Sequence, residues 1–144
     1  MNDETDHSVR WSFWAIGLFA LIWNVMGSAN YLMQMNADMV AAMPETARAI
    51  IEGRPGWATG GFAIGVFGGA IGGALLLLRK SAAFYLFIAS LLGVMVTMIH
   101  TIDVARSKAD FSLFEIFIMI LLPLVVAAFL TWYSKYAGSK NEFL

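Results

Sequence analysis

The chain has 144 residues, 60% of them hydrophobic and 13% charged, with a net charge of −1. Ordinary soluble domains are about half apolar and a quarter charged, so a soluble fold of this size has no way to hide so much apolar surface. The charge balance offers no basic field for nucleic acid, and the absence of cysteine excludes disulfides, thiolate metal sites and thiol catalysis.

Residues 1–10, MNDETDHSVR, read as a short acidic tail. Their acids, and the length of the apolar run that follows, argue against a cleaved signal peptide. Charge is then absent from four windows: 11–37, 55–78, 81–102 and 116–134. A helix needs about 20 apolar residues to cross the hydrocarbon, and lipid offers backbone groups no partners, so continuous apolar runs of this length predict helices. The expected spans are 12–33, 57–78, 82–103 and 112–134.

In the first span Gly17, Ala20, Asn24, Gly27, Ser28 and Tyr31 share one helical face, and Leu18, Ile22, Val25, Met26 and Leu32 the other. The small and polar stripe should face protein and the bulky one lipid. Asn24 has two readings there: an interhelical hydrogen bond to a nearby backbone carbonyl, or an amide that binds solute. The loop 34–56 is expected to be helical and extramembrane. Asn36 caps a first short helix, Pro44 opens a second and Gly53 ends it. Met39, Met43, Ile50 and Ile51 would rest on the membrane surface or cover the bundle mouth.

In the second span Gly61, Gly65, Gly69 and Gly73 repeat at intervals of four, three overlapping GxxxG patterns that predict close helix packing. Arg79-Lys80-Ser81 leaves room only for a tight turn into the third span, where Ser90, Gly93, Thr97, His100 and Thr101 fall on one face. His100 and Asp103 are three apart, close enough on a helix to pair and make the imidazole a proton relay. The alternative is an interfacial histidine touching water and headgroups. Ser112 and Glu115 form a capping-box pattern ahead of the fourth span, with ion coupling the other reading for Glu115. Pro123 should kink that span.

Arg10, Arg79, Lys80, Lys135 and Lys140 fall on the side of the termini, and Arg48, Arg54, Arg106 and Lys108 on the other. Arg10, Arg79, Lys80 and Lys135 abut their helices, which favours both termini in the cytoplasm. No catalytic motif is present. With His7 and His100 the only histidines, no multi-histidine metal or haem site is expected, so the chain reads as a non-enzyme without cofactor.

Three stretches, WNVMGSANYLMQ (23–34), PGWATGGFAIGVFGGAIGGALLLLRK (55–80) and AFYLFIASLLGVMV (83–96), carry a resemblance. They resemble a group of small bacterial four-span membrane proteins often called sugar transporters and otherwise hypothetical membrane proteins. The Trp23-Asn24-x-x-Gly27-x-x-x-Tyr31 pattern is the most distinctive part. The resemblance implies a bacterial inner-membrane location and transport of a small, sugar-like solute; it carries over no site residues. The expected fold is an all-α integral membrane protein, an antiparallel bundle of four transmembrane helices with a helical loop between the first two. Asn24, Asn30, Tyr31, Thr97 and His100 are the candidate solute contacts, and His100, Asp103 and Glu115 the candidate coupling groups. The rival expectation is a non-transporting accessory protein. The expected partners are the lipid bilayer, a second copy or a membrane-protein partner, and a small polar solute.

Overall fold

The computed structural model describes residues 10–107, 110–140 and 143. Most of the acidic tail, His7 and Lys108 lie outside the described residues. The described residues are helical, with no strand among them. We number the helices α1 (Trp11–Met33), α2 (Ala37–Ala41), α3 (Glu45–Glu52), α4 (Gly56–Leu77), α5 (Ala83–Ser107) and α6 (Leu113–Ser139). The helices α1, α4, α5 and α6 are each long and apolar enough to cross a membrane. The last two run past their expected ends, to Ser107 and Ser139 rather than 103 and 134.

Local chemistry accounts for the ends. Asn36 caps α2 by accepting from the amides of Asp38 at 2.9 Å and Met39 at 3.1 Å. Pro44 and Gly53 bracket α3. Ser112 and Glu115 close a reciprocal capping box at the start of α6. At the end of α4, Arg79 adopts φ 59°, the amide of Lys80 bonds Leu75 O and that of Arg79 bonds Leu76 O, both at 2.9 Å. This is a Schellman turn with arginine where glycine is usual.

Pro123 follows directly on a wider turn of the same helix. Phe117–Leu121 is π-helical, and the amide of Leu122 bonds Phe117 O. Pro123 has no N–H, so the extra residue of the π-turn shifts the broken hydrogen-bond register past it.

α4 packs against both α1 and α5, and α6 packs on α5. The glycine stripe divides between two neighbours. A Cβ on Gly61 would lie 2.8 Å from Gly93 O, and one on Gly65 2.9 Å from Val94 Cγ2, both on α5. On Gly73 it would lie 2.9 Å from Leu21 N, and on Gly69 it would overlap the Asn24 amide, both on α1. Each four-residue step overshoots a full turn by about 40°, so four such glycines drift round the helix by about 120° and meet two partners in succession.

The buried core, with Phe13, Ala20, Leu76, Ala83, Phe87, Leu130, Tyr133 and Ala137, gathers towards the end of the helices that carries the chain termini. There α1 and α6 touch: Phe13 and Tyr133 lie 6.4 Å apart, and Arg10 Nη2 donates to the Tyr136 hydroxyl at 3.0 Å. Towards the other end, which carries the 34–56 loop, the two helices border a cavity.

A cavity between α1 and α6

Three side-chain amides, three hydroxyls and a guanidinium reach this cavity. Asn24 and Asn30 come from α1, Gln34 from its C-cap, Arg54 from the link before α4, and Ser90, Thr97 and Thr101 from α5. Trp23, Phe62, Phe87, Pro123, Val126 and Leu130 are among the apolar residues that complete the wall. The volume is about 320 Å³, within the range of small-molecule sites.

Asn24 is buried by position, since it points from the protein-facing stripe of α1. Its amide does not reach across to the glycine helix for a hydrogen bond, as the sequence suggests. Nδ2 donates to Ala20 O on its own helix at 2.8 Å, and the Ser28 hydroxyl donates to Asn24 O at 2.9 Å. The carbonyl end lies against Gly69, which has no side chain to exclude it. Ser90 makes a cross-helix bond, to Gly65 O at 2.6 Å.

The candidate residues separate into two groups. Asn24, Asn30 and Thr97 share the cavity wall. Tyr31 stands outside it, edge-on to Phe62 and Phe67 at 5.4 and 5.5 Å. His100 is buried, with Nε2 2.9 Å from Ile50 O. A carbonyl only accepts, so Nε2 must carry a proton there. Asp103 is exposed on α5, and the imidazole faces α3 rather than this carboxylate. Glu115 accepts from the Thr46 hydroxyl at 2.6 Å while holding its cap with Ser112. His100 and Glu115 thus fasten α3 across the loop end from two sides.

Sequence reasoning missed Gln34 and Arg54. Arg54 Nε donates to the Thr59 hydroxyl at 3.2 Å, and the guanidinium lies over the Phe62 ring at 5.1 Å. Partial burial pulls it below its ordinary pKa, with Tyr31 opposing the shift. It stays cationic at neutral pH. One signal was available: a cation just ahead of a helix N-terminus opposes the helix dipole and so calls for a reason. No group of three metal-ligating side chains comes together among the described residues. No protein-family model, curated protein or solved structure matches this chain.

Proposed function

We propose that this chain is a multi-pass protein of the bacterial inner membrane that binds a small solute between α1 and α6 and moves it across the bilayer. On this reading the four long helices form an antiparallel bundle with both termini in the cytoplasm and the 34–56 loop outside. The membrane setting is supported by their length and apolar character. It is also supported by the distribution of side chains: Leu18, Ile22, Val25, Met26, Leu92 and Ile99 are exposed, whereas Asn24, Ser28, Ser90 and Thr97 are buried. Opposed running of α4 and α5 is supported by their contacts, since Gly61 lies by Gly93 and Gly72 by Phe87. The orientation rests on Arg10, Arg79, Lys80 and Lys135 beside the helix ends.

The cavity carries the binding reading. Its volume of about 320 Å³ lies in the range of small-molecule sites, and a few convergent polar side chains stand in a mostly apolar wall, as such sites require. A four-helix interior is narrow, so passage would run through a homo-oligomer or with a membrane partner. The test is flux of sugars and other small solutes into proteoliposomes. Ala127→Phe, which fills the cavity, should reduce flux to that of empty liposomes while the protein stays folded. Flux unchanged by this substitution would refute the cavity as the path.

The accessory reading has one observation in its favour. The Asn24 amide and the Thr101 hydroxyl are bonded within their own helices, as packing alone requires. It predicts that Asn24→Ala loses about 1 kcal/mol of stability and alters no flux.

A further inference from the structure

The cavity is graded along its length. Asn30, Gln34 and Arg54 cluster by sequence position at its loop end, and Phe87, Val126 and Leu130 lie deeper. The hydroxyl protons of Ser90 and Thr101 are committed, to Gly65 O at 2.6 Å and Thr97 O at 3.2 Å. So is an N–H of Asn24, to Ala20 O. Below the loop end this leaves a polyhydroxylated solute the Thr97 hydroxyl and the second N–H of Asn24 as donors, too few for several hydroxyls, and a buried hydroxyl without a partner costs free energy. An apolar body leaves fewer polar groups without a partner there.

The loop end has the opposite need. Arg54 is half-buried, and among the described residues no carboxylate pairs with it; its contacts are the Thr59 hydroxyl and the Phe62 ring. Among the described residues its two terminal nitrogens make no hydrogen bond, and a guanidinium presents them as a fork that fits an acid's two oxygens. On the same cavity wall, Gln34 Oε1 is buried without a partner among the described residues. Turning that amide over puts Nε2 in its place, a further donor for an acid.

Taking the cavity as the ligand site proposed above, we infer that its ligand is a small amphiphile whose acidic head is held by Arg54 and whose apolar body lies between α1 and α6. The volume of about 320 Å³ is at the lower end of small-molecule sites, so the ligand is small. A medium-chain carboxylate has that size and polarity. An anionic phospholipid shares the chemistry of acid plus chain.

Binding of radiolabelled octanoate to the full chain in phosphatidylcholine nanodiscs, with empty discs as blank, tests this. Saturable binding is expected, competed by unlabelled octanoate and not by octanol or glucose. Arg54→Gln should weaken it by at least about tenfold, and Arg54→Lys by less. Loss of octanoate binding in phosphatidylglycerol discs would assign the same site to a phospholipid head and chain. Octanol binding as well as octanoate, or binding indifferent to Arg54→Gln, overturns the acidic head. Glucose binding that survives Arg54→Gln overturns the ligand class yet leaves the cavity's function standing. No binding of any probe, together with flux unaffected by Ala127→Phe, overturns both.

Discussion

Gly69 and Asn24 occupy one space between them, and the consequence is measurable. A Cβ on Gly69 would overlap the Asn24 amide, so Gly69→Ala has to push that amide from its bond to Ala20 O or part the helices. A loss of about 1–3 kcal/mol in unfolding free energy is expected. Gly60→Ala is the control, because its Cβ would meet nothing within 4 Å. It should be neutral or slightly stabilising through helix propensity. Equal effects of the two would remove the close contact as a feature of the fold. The stripe that holds Asn24 was legible in sequence, since a 3.6-residue period marks a face. The partner of its amide was not, because period says nothing about whether a polar group turns inward along its own helix or outward to another.

At the level of elements, the strongest signals were chemical and local. Asn36, Pro44, Gly53 and the Ser112–Glu115 pair each mark an end through bonds made within a few residues. Charge-free runs marked the four long helices for the same reason. The π-turn escaped, since Pro123 announces a missing donor without saying how the backbone absorbs it. The fastening of α3 escaped too: Thr46 meets Glu115, and Ile50 meets His100, across chain separations that no local pattern encodes. His100→Phe should leave the long helices intact and speed amide exchange in 45–52 about fivefold, the equivalent of one lost hydrogen bond. Unaltered exchange there would separate His100 from the anchoring of α3. The Schellman turn gives a second test. With Arg79 at φ 59°, Arg79→Gly should be more stable in thermal unfolding than Arg79→Val by about 1 kcal/mol or more, both lacking the same guanidinium. Similar stabilities would mean the turn rearranges at little cost.

For the whole molecule, the sequence defines which segments are helical and leaves open which of them meet. α1 and α6 are furthest apart in the chain, and their relation decides whether there is a site at all. Among the described residues they meet at the terminus end, where Phe13 lies against Tyr133 and Arg10 bonds Tyr136. α6 is also held against α5, where the Thr131 hydroxyl donates to Phe87 O at 3.1 Å, and at its loop end, where Glu115 accepts from Thr46, so parting it from α1 about the aromatic cluster would have to loosen those contacts. Leu113 lies 20 residues from Tyr133 along α6, roughly 30 Å at about 1.5 Å per residue, so swinging α6 by about 5° carries its far end about 3 Å. That travel is comparable to the thickness of a hydrocarbon chain's own contact layer. Spin labels at the exposed Leu32 and Leu113 would report it. Their separation should shift when a ligand enters the cavity, and Phe13→Ala should broaden it without ligand; a fixed, narrow distance throughout would mean the two helices are rigid. A label separation that responds to ligand would mean that packing around Phe13 bears, by leverage, on the loop end of the cavity.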